Sequence, residues 1–124
     1  MAYGTLQTDV LNTSTGIFST NNAYLGIAKA WVNFSATGGT ITIKQSFNVT
    51  SVTLNSTGSY TVNFTTAMSA NTFASCVTSG TQGTSYGVVQ LGTQTTSSLT
   101  FGSYDPHSDA GVNNANNAVA IFSA

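Results

Sequence analysis

The only histidine of the chain stands in Asp105-Pro106-His107-Ser108-Asp109, beside two of its three aspartates. On an extended backbone, positions 105, 107 and 109 share a face. One imidazole and two carboxylates there would be a donor set for a divalent cation. The same five residues also describe a solvated polar loop, and so short a pattern favours that plainer reading. A triad of Ser108, His107 and Asp105 or Asp109 is weaker, because adjacent residues point apart and no oxyanion-hole signature accompanies them. Cleavage of a glycan would need paired carboxylates, one of them a raised-pKa acid. The chain has no glutamate, and Asp105 with Asp109 is its only close carboxylate pair. No catalytic set, metal or cofactor is therefore expected. One arrangement would change the chemistry: if three copies met at this loop, three His107 rings would converge on one axis as a three-ligand site.

Two single residues carry weaker signals. Cys76, the only cysteine, cannot form an internal disulfide. It alternates with apolar neighbours and reads as a buried, inert thiol. Trp31 lies between Lys29 and Asn33, opposite a row of small apolar residues. It is either core of a second layer or an anchor at a subunit contact, where aromatics are enriched. Five Asn-x-Ser/Thr sequons, at Asn12, Asn33, Asn48, Asn55 and Asn63, are a by-product of composition in a chain with no secretory context.

That composition is unusual. The 124 residues include two lysines (Lys29, Lys44), no arginine and three aspartates, so 4% are charged, against about 25% in ordinary soluble domains. Thr, Ser, Asn and Gly make up 62 of the 124 residues. No basic patch exists to neutralise phosphates, which argues against nucleic acid as a partner. No apolar run approaches the roughly 20 residues of a membrane-spanning helix, and insertion into a membrane is not expected. Disorder fails too, because disordered chains combine low hydrophobicity with high charge, whereas this chain is 40% hydrophobic. Abundant Thr, Val, Ile and aromatic residues are strand composition.

The elements that would position these residues follow from period-two alternation. Residues 28–34 place Ala28, Ala30, Val32 and Phe34 on one face. Residues 40–49 place Ile41, Ile43, Phe47 and Val49 inward, with Gln45 breaking the row. Val52 and Leu54 shift parity, which predicts a kink or bulge near Thr50. Asn55-Ser56-Thr57-Gly58 predicts a hairpin turn. Tyr60, Val62 and Phe64 then point one way along the cleanest strand of the chain. Further strands are expected over residues 73–78, 86–94, 97–104 and 118–122. Val32, Phe34, Ile41, Ile43, Phe47, Val49, Val52, Tyr60, Val62, Phe64 and Ile121 form the expected inward set. The fold class is all-β, an antiparallel sandwich of seven to eight strands over residues 26–124.

Residues 1–25 form an arm in this reading. Its apolar residues, Leu6, Val10, Leu11, Ile17 and Phe18, are too sparse for a core of their own, so they are expected to attach to a partner surface. A surface so poor in charge has little to oppose association, which points to an assembly.

Three segments are familiar: Lys29-Ala30-Trp31-Val32-Asn33-Phe34, Ser46-Phe47-Asn48-Val49-Thr50-Ser51-Val52, and Gly58-Ser59-Tyr60-Thr61-Val62-Asn63-Phe64-Thr65-Thr66-Ala67-Met68. In this order and spacing they resemble a module recurrent in tail-fibre and other virion structural proteins of tailed bacteriophages, marine and cyanobacterial ones especially. The match covers about residues 26–73, with a looser fit at Val119-Ala120-Ile121-Phe122. The resemblance implies a non-enzymatic, homotrimeric β-structured protein on the virion surface and transfers no catalytic residues. The expectation is a short tail fibre or fibre tip; the alternative is a capsid fibre or decoration protein. Partners would be sister chains and other virion proteins of tail or capsid. A host-surface glycan would meet loops bearing Tyr86, Tyr104, His107, Asn113 and Asn114.

Overall fold

Alternation becomes architecture in the computed structural model, which describes residues 10–13, 16–19, 24–80 and 87–123. Strands β1 (Val10–Thr13) and β2 (Gly16–Ser19) pair as an antiparallel hairpin that stands as its own two-stranded sheet. After a single helical turn at residues 24–26, eight strands build two four-stranded antiparallel sheets. Sheet I contains β3 (Ala30–Ser35), β4 (Thr42–Phe47), β7 (Ala74–Gly80) and β10 (Asn116–Phe122), in the order β4-β3-β10-β7. Sheet II contains β5 (Val49–Ser56), β6 (Ser59–Phe64), β8 (Val88–Gln94) and β9 (Ser98–Tyr104), in the order β5-β6-β9-β8. The expected antiparallel sandwich is the observed one.

Both sheets turn one row of side chains inward. Ala30, Val32, Phe34, Val119 and Ile121 come from sheet I, and Val52, Tyr60, Val62, Phe64, Leu99 and Phe101 from sheet II; all are buried. Phe34 meets Tyr60 edge-on, with ring centroids 5.4 Å apart, and Tyr60 meets Phe101 at 5.2 Å. Phe64 meets Phe73 edge-on at 5.8 Å. Such pairs contribute about 0.5–1.5 kcal/mol beyond the area they bury.

The chain leaves sheet I for sheet II at Asn48, where φ is 54°. Asparagine tolerates this left-handed backbone because its short side chain bonds locally. Here its amide donates to the carbonyls of Lys29 and Thr66, at 3.0 and 3.1 Å, and its Oδ1 accepts from Thr66 N–H. A register shift follows between Val49 and Ser51, which places the predicted irregularity at Thr50. The predicted hairpin turn falls at Thr57-Gly58. Gly58 has φ 73°, and a Cβ on it would collide with the Ser103 carbonyl and the Val112 N–H, so glycine is required there.

Three expectations about side-chain direction need correction. Phe47 is 54% exposed, because a second register shift opposite Asn33 and Phe34 makes Lys44 the extra residue of β4 and reverses the parity beyond it. Gln45, which broke the inward row in the sequence, was the sign of this shift. Ile43, opposite Phe34 on the edge strand, is 37% exposed, while Ile41 and Val49 pack partly buried against the core. Cys76 is exposed. Phe73 and Val77 take the inward parity of that stretch, so the even-numbered Cys76 faces out.

These assignments predict opposite outcomes for two phenylalanines. Phe64→Ala should destabilise the fold by about 3–5 kcal/mol. Phe47→Ala should leave it within about 0.5 kcal/mol, as for other exposed positions. Urea melts of both variants check the pair, and equal losses would show the faces are misassigned.

Candidate functional site

Tyr60 carries the first of three candidate regions. Its hydroxyl lies 3.1 Å from both the Val112 carbonyl and Asn113 Oδ1, which also accepts from Gly58 N–H at 2.8 Å. Next to it, Ser79 Oγ lies 2.8 Å from Ser103 Oγ and 2.6 Å from Asn117 Oδ1. Both serine oxygens accept from Asn114 Nδ2 at 2.9 Å. The Asn117 amide donates to the Asn114 carbonyl at 2.8 Å. This cluster ties β7 and β10 of sheet I to β9 of sheet II through the segment before β10. Asn114 is fully buried, which corrects the expectation that it is presented at a loop tip. Asn113 is half-buried and turned toward Tyr60. Both act as a polar clasp between the sheets, since buried polar groups hold their place only when satisfied.

The His107 loop forms the second region. Asp105 Oδ1 accepts from His107 N–H at 2.8 Å and lies 3.4 Å from its Nδ1, with the imidazole 83% exposed. This is an aspartate-capped turn. Among the described residues, no three His, Cys, Asp or Glu side chains come together as a metal-ligand group. Tyr104 is half-buried. Its ring lies across Gly102, where any Cβ would strike it. Tyr86 and Leu6 lie outside the described residues. Val10 and Leu11 fall on β1 and Ile17 and Phe18 on β2, with Leu11 opposite Phe18 in register.

The two outer faces of the sandwich form the third region, and they differ in chemistry. Sheet II turns out mainly hydroxyls and amides that bond to one another, with Val88 and Leu91 exposed on its edge strand β8. Asn63 Nδ2 donates to Ser51 Oγ and Thr53 Oγ1, and Asn55 Nδ2 to Thr61 Oγ1. Sheet I turns out Phe47, Trp31, Ala120 and Cys76, which are direct cross-strand neighbours in one row. Trp31 is 37% exposed, and an open groove of about 340 Å³ runs beside it over Ala118 and Ala120. Phe47 also lines a second groove of about 590 Å³ with Tyr24, Lys29, Met68 and Ser123. There the Lys29 ammonium sits 3.2 Å above the Tyr24 ring, a cation–π contact. Tyr24, Leu25 and Ile27 are all exposed in the segment that leads back to the hairpin.

Alternation in the sequence does not reveal this apolar row, because it places Phe47 and Cys76 inward. Sequence and fold comparisons add no relative: no family model, no curated protein and no solved structure matches the chain.

Burial holds the Tyr60 hydroxyl above its ordinary value of 10.0, partly offset by a backbone hydrogen bond from Asn114. A phenol whose folded pKa is raised keeps its stabilising contribution below the unfolded pKa. It loses that contribution as pH rises from about 10 through the folded value. Tyr60→Phe should therefore cost about 1 kcal/mol at pH 7, from the lost hydrogen bond, and should flatten the alkaline decline. Denaturant melts from pH 7 to 11 check this. A parallel decline in both proteins would refute the role given to Tyr60.

Proposed function

We propose that this chain is a non-enzymatic structural subunit of a tailed-bacteriophage virion. It serves as a short tail fibre or fibre tip, assembled as a homotrimer. Residues 1–25 attach it to the particle, and the sandwich faces the host. The observation that carries this reading is the unequal pair of outer faces on an almost charge-free sandwich. A hydroxyl and amide surface on sheet II suits contact with water and with a hydroxyl-rich glycan. The uncharged apolar row Phe47-Trp31-Ala120-Cys76 on sheet I suits contact with protein. Exposed aromatics of this kind mark interaction surfaces. The resemblance of residues 26–73 to the virion module supports the setting: its segments coincide with β3, the Asn48 corner and β6. With Asn114 committed to the clasp, the proposed host-contact region narrows to Tyr104, the exposed His107 turn and the segment containing Tyr86.

Gold-labelled antibody against the chain, imaged by cryo-electron microscopy on the particles whose genome encodes it, tests the assignment. Label at the tail supports the fibre reading, and label over the head transfers the same subunit to capsid decoration. A chain absent from purified particles would refute both. A chain lacking residues 1–22 should keep its β circular dichroism and lose its place on the particle. Incorporation at full copy number would put attachment in the sandwich instead.

A further inference from the structure

Open edges are where a β-sheet accepts another strand, and natural sheets obstruct the edges they do not use. Among the described residues this sandwich has four edge strands: β4 and β7 in sheet I, β5 and β8 in sheet II. Three of them are interrupted. β4 has the shift at Lys44, whose Nζ donates to the Ala115 carbonyl and Asn116 Oδ1. β5 shifts register at both ends, between Val49 and Ser51 and between Leu54 and Ser56. β8 shifts between Leu91 and Gln94, where Thr93 N–H turns to Thr100 Oγ1 instead of continuing the ladder. β7 alone is regular. It pairs with β10 without a break from Asn116↔Gly80 to Phe122↔Ala74. Its sequence, Ala-Ser-Cys-Val-Thr-Ser-Gly, has no charge and no proline.

The hairpin poses the complementary problem. β1 and β2 are four residues each and, among the described residues, pair only with one another. An isolated two-stranded hairpin is marginal in water and needs a third strand or a packed face. Their sequences, Val-Leu-Asn-Thr and Gly-Ile-Phe-Ser, are uncharged too. Among the described residues of one chain the hairpin stands apart as a sheet and β7 has a single strand neighbour. The segment from residue 20 to residue 29 links the hairpin to β3, with a reach of at most about 30 Å given the helical turn at residues 24–26.

We propose that the β1–β2 hairpin of one copy adds to the β7 edge of sheet I in a second copy, extending that sheet to six strands. The inference rests on the homo-oligomeric reading above and specifies how the arm makes the contact. Main-chain hydrogen bonds supply the affinity in such strand addition, and side-chain pockets supply the specificity. The added strand would lie beside Cys76, continuing the row from Phe47 through Trp31 and Ala120.

The single native cysteine makes the contact testable in the full chain. Directly opposed strand residues lie about 4.5–5.5 Å apart at Cα, within the range a disulfide spans. Asn12→Cys, Thr13→Cys and Ser19→Cys are each oxidised with copper phenanthroline and run on non-reducing gels. Light scattering records the mass before oxidation. At least one variant should form a disulfide between chains that is lost when Cys76→Ser is added. Thr61→Cys, on the outer face of sheet II, should form none through Cys76. An oligomer with no interchain disulfide from any hairpin position would overturn the strand addition and leave the oligomer standing. A disulfide within one chain would overturn the exchange between copies. A monomeric mass would overturn the inference and the oligomeric reading together. Backbone hydrogen exchange on the unmutated chain gives an independent readout: β7 should be protected to the level of β10, and exchange at the level of β4 would count against the proposal.

Discussion

The packing of Phe34 against Tyr60 and Phe101 is the contact on which the rest of this structure depends. Phe34 comes from sheet I and the other two rings from sheet II, so the three rings are the bolt through the sandwich. A chain with two lysines and three aspartates has almost no ion pairs to draw on. Apolar burial and hydrogen bonding must therefore carry its stability. Tyr60 does both. Its ring sits in the core, while its hydroxyl reaches Val112 and Asn113. Once that ring is placed, the Thr57-Gly58 turn, the Ser103 strand and the segment before β10 are all held around it. The clasp of Ser79, Ser103, Asn114 and Asn117 then closes the polar end of the interior, each member bonded to another.

The same shortage of charge shapes the exterior. On sheet II the hydroxyls and amides of β5 and β6 satisfy each other in ladders, as with Asn63 to Ser51 and Thr53, so that part of the face is polar without being charged. On sheet I the outward row is aromatic at one side and small at the centre, from Phe47 and Trp31 to Ala120 and Cys76. Charged side chains would keep two such neutral surfaces apart; their scarcity leaves shape and strand edges to govern which surfaces meet. The register shifts on β4, β5 and β8 and the unbroken β7 belong to that same logic.

Much of this fold was legible because its strongest signals are local. The Tyr60, Val62 and Phe64 alternation, the Asn55-Ser56-Thr57-Gly58 turn and the parity change near Thr50 each depend on residues a few positions apart. The outward apolar row of sheet I was harder to read. Phe47 points outward because one extra residue, Lys44, enters β4, and a single inserted residue reverses every side chain beyond it. Gln45 recorded the reversal, but alternation alone did not say on which side of it Phe47 belonged. Cys76 resembled a core residue until its parity was counted from Phe73 and Val77. Asn114 was the hardest case. A run of asparagines reads locally as turn, while its partners Ser79 and Ser103 lie 35 and 11 residues away. Only the topology brings them together.

We propose that this nearly uncharged sandwich is a subunit of a homotrimer held by apolar contact and backbone pairing. Light scattering of the purified full chain, across sodium chloride from low to molar concentration, tests it most directly. The account predicts a mass three times the 12.7 kDa of one chain, unchanged by salt, because screening acts on charges that this surface hardly has. A 12.7 kDa species at micromolar concentration, or a trimer that dissolves as salt is raised, would contradict it.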